Sequence, residues 1–174
     1  MGVFGESIRA VLARTRGLGD ALLKDVEAAD FARKPRGTSG LVDTNHPAFV
    51  YGHLSIYPAR VLEFLGTDAS AVKPTQRYLD LFDHGKPCED DAGGSIYPPM
   101  EEIVARFKAA HDAVAAVIAE VPDEVFARPL PHEGMRARFP TVGAFTLFML
   151  ASHTMMHMGQ VSAWRRGMGL GSAM

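Results

Sequence analysis

Four long stretches of this 174-residue chain repeat apolar residues every three or four positions, and nowhere does apolar alternate with polar long enough to require a strand. Such a chain must bury four apolar stripes against one another, which predicts an all-α fold, a four-helix bundle. The first stretch covers residues 4–26, with Phe4, Ile8, Val11, Leu12, Leu22, Leu23 and Val26 on its stripe and Gly17 and Gly19 weakening its middle. The second starts near residues 44–47, where Asp43, Thr44 or Asn45 can cap and Pro47 suits a first turn; it ends by Gly66, with Pro58 kinking or shortening it. The third follows Pro98 and Pro99, carries Glu101 and Glu102 in its first turn, and buries Ile103, Phe107, Val114, Val117 and Ile118 before Pro122. Thr141 opens the fourth, whose stripe reads Val142, Phe145, Phe148, Ser152, Met156 and Trp164 up to the Gly167 region.

Residues 67–98, rich in Pro, Gly and Asp, separate the second helix from the third and hold a short helix around 77–82. A crossover of that length joins parallel rather than antiparallel helices, and long crossovers often border sites. The length is that of one domain, residues 1–174, large enough to bury a core unaided. Phe31-Ala32-Arg33 and Phe126-Ala127-Arg128, followed by Ala48-Phe49 and Ala144-Phe145, form a short echo that pairs the helices as two hairpins.

Charge excludes several roles. A net charge of -2 with 22% charged residues gives no field to recruit nucleic acid, and no Lys/Arg run addresses an anionic membrane. No apolar run is long enough to span a bilayer and no secretory signal opens the chain. The single cysteine, Cys88, cannot form an intrachain disulfide, which fits a cytoplasmic protein with an incidental thiol.

Histidines carry the chemistry. His153 and His157 lie four residues apart on an apolar helix, so their side chains leave one face about 40° and one turn apart and can grip one ion. The echo sets His53 on the facing helix, beside Gly52, whose missing side chain lets another helix or a ligand approach. Three imidazoles from two helices would leave open positions on a divalent ion, as in catalytic zinc sites. His46, two turns before His53, reads as a helix-start residue; His84, His111 and His132 read as solvated, with His111 also placed to line a pocket. Tyr57 and Gln160 are the candidates to orient ligands, and Trp164 belongs to the core. Met149, Met155, Met156, Met158 and Met168 fill core gaps more readily than they bind copper. No His-Glu-x-x-His, no Glu-x-x-His and no Gly-rich phosphate loop occurs, which argues against zinc-protease, ferritin-like di-iron and nucleotide chemistry.

Asn45-His46-Pro47-Ala48-Phe49-Val50-Tyr51-Gly52-His53-Leu54, then Tyr97-Pro98-Pro99, then His153-x-x-x-His157-x-Gly159-Gln160 with Arg165-Arg166 beyond, resemble the DinB/YfiT-like superfamily over nearly the full chain. The resemblance implies a four-helix bundle with a long crossover and one divalent metal, zinc or nickel, held by His53, His153 and His157. It implies a homodimer as well, with which an apolar content of 47% agrees. Some members are thiol S-transferases or thiol-dependent isomerases and others are described as metal-dependent hydrolases. Three readings follow: a transferase activating a low-molecular-weight thiol against a small-molecule electrophile, a hydrolase activating water, and a non-catalytic stress-response or ligand-binding bundle.

Overall fold

The computed structural model describes residues 2–173. Helix α1 (Val3–Leu22) is followed by a two-residue hairpin, β1 (Arg36–Gly37) and β2 (Gly40–Leu41), then α2 (Pro47–Leu54), α3 (Tyr57–Leu65), α4 (Gln76–Phe82), α5 (Met100–Val117) and α6 (Asp123–Ala127). The last long helix comprises α7 (Val142–Leu147), a wide π-helical segment (Phe148–His153) and α8 (Thr154–Gly167), with helical backbone through both junctions. The all-α expectation holds. The hairpin is the one sheet among the described residues, and it is fully exposed.

Pairwise registers give the helix directions. Along α1 and the last helix, partners climb together: Thr15 with Leu150, Gly19 with Met158, Leu22 with Arg165. Against α5 they run in opposite senses, Arg16 pairing with Asp112 and Asp20 with Lys108. Asn45 meets Gln160 and Phe64 meets Phe145, so α2–α3 oppose the last helix. Hence α2–α3 run parallel to α5, and residues 67–98 are the crossover that parallel neighbours require.

The break expected at Pro58 is found, and four local readings are corrected. The second helix is two helices: the regular turn is lost at Ser55 and Ile56, where Pro58 lacks the N–H that would continue the ladder. Its cap is His46 rather than Asp43, Thr44 or Asn45; the imidazole Nδ1 accepts from the Phe49 N–H at 3.2 Å. On α1 the buried stripe passes through Ile8, Leu12, Thr15, Gly19 and Leu22, so that small and polar residues occupy positions that apolar counting skips, and Val11 is left exposed.

The third correction concerns the site. Ser152 and Met156 are exposed, while Met149, Leu150, His153, His157, Val161 and Trp164 are buried. The wide turn inserts the equivalent of one extra residue and rotates everything after it, so the inward positions become 153 and 157 rather than 152 and 156. Thr154 serves this turn, its hydroxyl donating to the Met149 carbonyl at 2.9 Å. His111 is also corrected: it is buried, with Nδ1 donating to the Phe107 carbonyl at 2.8 Å.

Gly52 fixes how closely α2 meets α4. A Cβ there would stand 2.5 Å from the Phe82 ring. Gly52→Ala therefore costs about 1–3 kcal/mol of stability, the usual range for overpacking, seen as a lowered Tm of the chelator-treated protein; an unchanged Tm contradicts this account.

Candidate metal centre

His53 comes from the last turn of α2, His153 closes the wide turn and His157 lies in the first turn of α8. All three are buried, and one nitrogen from each lies within 4.8 Å of the others. His153 Nε2 stands 3.3 Å from His53 Nε2 and 3.1 Å from His157 Nε2. Ligands about 2.0–2.1 Å from a shared zinc ion, at tetrahedral angles, are themselves about 3.3 Å apart, so these separations match the edges of a coordination polyhedron.

The hydrogen bonds on the far sides of two rings set their tautomers. His53 Nδ1 lies 2.6 Å from the Phe82 carbonyl, which can only accept, so Nδ1 carries the proton and Nε2 presents a lone pair. His157 Nδ1 lies 2.8 Å from Gln160 Oε1, whose role as acceptor is fixed in turn by the Asn45 side-chain amide donating to it at 3.1 Å. The Nε2 of His157 therefore also presents a lone pair. His153 lies between them, its Nδ1 buried without a partner among the described residues. With its proton on Nε2 it can answer one lone pair at a time and leaves Nδ1 bare; with the proton on Nδ1, an N–H is stranded and three lone pairs converge.

Protonation is not the remedy. Burial pushes His53 down from 6.5 to about 4, despite the Phe82 carbonyl acting the other way, and burial together with the neighbouring imidazoles pushes His153 to about 3. His157 is lowered too, mainly by burial and against the pull of Gln160. At neutral pH the cluster is three uncharged imidazoles with lone pairs facing inward, which a cation would satisfy together. The residues present fit a divalent metal.

Tyr57 sets its ring edge-on against His53 and His153, at centroid distances of 5.0 and 4.9 Å, and burial raises its phenol to about 12. Phe49 stacks on His53 at 5.9 Å. Gln160 thus touches a candidate ligand through a hydrogen bond, and Tyr57 through its ring alone. The cluster opens into a cavity of about 610 Å³, lined further by Arg60, Lys86, Arg138, Phe139, Phe148 and Met149. Cys88 is absent from this lining and half-buried, and burial pushes its thiol up to about 11.

Sequence reasoning missed three parts of this arrangement. Asn45, one of three candidate caps in the sequence, uses its amide to orient Gln160. The Phe82 carbonyl is a main-chain group with no side-chain signature. Arg60, seven residues after His53, and Arg138, fifteen before His153, belong to no motif that marks them. The crossover carried the one available signal, since Phe82 ends the short helix expected within it, and this helix is α4.

The model of the DinB superfamily matches residues 6–161, which contain all three histidines. No curated protein and no solved structure matches the chain.

Acid should unfold the metal-free protein through its buried imidazoles. His46 and His111 are also pushed down to about 4, chiefly by burial. A histidine whose folded pKa lies below its unfolded value of about 6.5 contributes stability that is complete above 6.5 and lost as pH falls toward 4. Each group gives a slope of up to about 1.4 kcal/mol per pH unit in that window. Urea denaturation at pH 7 and pH 5 should show a lower midpoint at pH 5, and a midpoint that rises on acidification contradicts these burial assignments.

Proposed function

The chain belongs to the DinB superfamily, and we propose that it is a metal-dependent transferase in which His53, His153 and His157 hold one divalent ion, zinc or nickel, and a low-molecular-weight thiol attacks a small-molecule electrophile. The observation that carries this reading is the convergence of three neutral, buried ring nitrogens at spacings of 3.1 and 3.3 Å beside an open cavity. A divalent ion bound there supplies a Lewis acid that makes a thiol nucleophilic at neutral pH.

The chain's own residues do the positioning. The Phe82 carbonyl holds His53 in its Nδ1–H form, and Asn45 acting through Gln160 does the same for His157. Such outer partners keep ligand rings aimed and basic. Tyr57, neutral at working pH, closes one side of the cluster, and Phe49, Phe148 and Met149 line the other walls with apolar surface. The sulfur electron pair forms the new C–S bond, the leaving group departs with its bonding pair, and the thiol proton passes to water. The same proposal takes the chain as one domain, cytoplasmic and paired as a homodimer.

Elemental analysis of the purified protein should find about one zinc or nickel per chain, lost in His157→Ala; equal occupancy in both removes the centre. Gln160→Ala should keep the site and weaken metal affinity about 10–100-fold, read by competition with a chromogenic chelator. Metal-loaded protein should conjugate monochlorobimane to a small thiol, and the chelated protein should not. Turnover of ester or amide panels without thiol would instead establish water as the nucleophile. A metal-loaded protein inert in both assays would be a binding bundle. A single-chain mass by light scattering at micromolar concentration removes the homodimer.

A further inference from the structure

The cavity above the histidine cluster is polarised from floor to rim. Its floor is imidazole and aromatic, and the residues there are buried: His53, His153, His157, Phe49 and Phe139. Its outer walls carry three permanent cations, the half-buried Arg60 and the exposed Lys86 and Arg138, against one carboxylate, Asp83, in a chain whose net charge is -2. Asp83 is occupied at close range, one of its oxygens accepting the His84 N–H at 2.8 Å. Among the described residues no ion pair engages Arg60, Lys86 or Arg138, whereas Arg9, Arg16, Arg33, Lys34, Lys73, Lys108 and Arg136 each pair with an acid.

Unpaired cations around a concave, partly apolar site raise the local concentration of anions, and arginine forks match a carboxylate with two parallel hydrogen bonds. Between such a rim and the histidines, Phe49, Phe139 and Phe148 offer only ring surface. We propose that the cavity takes an amphipathic organic anion: a small molecule whose carboxylate meets Arg60 and Arg138 and whose apolar, aromatic-sized body lies along Phe49, Phe139 and Phe148. This specifies the substrate class of the proposed transferase and rests on that reading for placing the reacting carbon at the histidines. The binding of the anion itself needs no metal.

The test titrates 4-phenylbutyrate and its uncharged amide calorimetrically into the full chain, once zinc-loaded and once chelator-treated. The acid should bind about tenfold more tightly than the amide in both states, as two partly exposed charge contacts allow. The difference should shrink severalfold between 50 and 500 mM salt, because exposed charges are screened. Arg60→Gln with Arg138→Gln should abolish it while zinc stoichiometry and Tm stay those of the unmodified chain. The salt series needs no variant and stands even if the double substitution disturbs folding. Reduced glutathione, a carboxylate thiol without an aromatic body, is the second arm and should bind more weakly than 4-phenylbutyrate in the chelated protein. Equal affinity for acid and amide, a preference that survives the double substitution, no binding of the acid at millimolar concentration, or arginine-dependent binding of glutathione alone would each overturn the proposal. Because the chelated arm is read without metal, acid preference there with no zinc uptake overturns the metal centre and leaves the anion site standing. Zinc uptake without acid preference does the reverse.

Discussion

Two oxygen acceptors set the state of the centre: the Phe82 carbonyl behind His53 and Gln160 Oε1 behind His157. Each accepts a hydrogen bond from the Nδ1–H of its ring and thereby leaves the ring's Nε2 as an inward-facing lone pair. Without them either ring could switch tautomer and donate to its neighbour, and the cluster would satisfy itself as an ordinary buried hydrogen-bonded group. With them, three nitrogens face one another with at most one proton among them, in surroundings that resist adding another. A good part of the local architecture secures those two acceptors. Gly52 lets α4 come close enough for Phe82 to reach His53, and Asn45, just ahead of α2, fixes the Gln160 amide.

His46 and His53 show how little residue type says about role. They lie seven residues apart at either end of the same short helix, both buried and both neutral. His46 accepts the Phe49 N–H at Nδ1, so its proton is on Nε2, which donates to the Glu89 carbonyl at 2.7 Å. It caps α2 and ties the crossover to the helix start, where Asp91 holds the following turn through the N–H groups of Ser95, Ile96 and Tyr97. His53 has the opposite tautomer because its carbonyl partner lies on the other nitrogen. One imidazole anchors the chain and the other faces the cavity, and the placement of a single main-chain oxygen makes the difference.

Much of this was legible in the sequence because it rests on periodicity and spacing. The four helical stretches, the short helix in the crossover, the Thr141 cap, the buried Trp164 and the meeting of His53 with the His153/His157 pair all follow from patterns of three to four residues or from a resemblance carried by contiguous motifs. What was not legible departs from regular geometry. The wide turn over Phe148–His153 has no compositional signature, yet it moves the inward face from Ser152 and Met156 to His153 and His157. Uninterrupted α periodicity from Val142 and Phe145 would lead through 149, 152 and 156, leaving the two histidines about 100° off the buried stripe. Their spacing was readable, but their inward orientation depends on the π turn. His111 misled for a related reason: Asp112 beside it suggested solvent, while the histidine itself continues the buried run of Phe107 and Ala110.

On the proposed reading the nucleophile comes from outside the chain. The three imidazoles are committed as ligands on the proposed reading, and Tyr57 is held as a neutral phenol near 12. Cys88 does not line the cavity, and burial would keep its thiol protonated at about 11 even if it did. Asp83, the one carboxylate in the lining, belongs to the same wall as Lys86 and, with Arg60, exerts its charge on Tyr57. On the proposed reading, a chain furnished this way offers binding, orientation and a place for a cation, and the attacking atom is brought in. A volume of about 610 Å³ is within the range that holds a drug-sized ligand, enough for a small nucleophile at the histidines with an anionic partner spanning the aromatic walls. On the proposed reading, the separation of an uncharged floor from a cationic rim has a chemical reason: the rim can hold a substrate's negative charge away from the electron-rich attacking atom below.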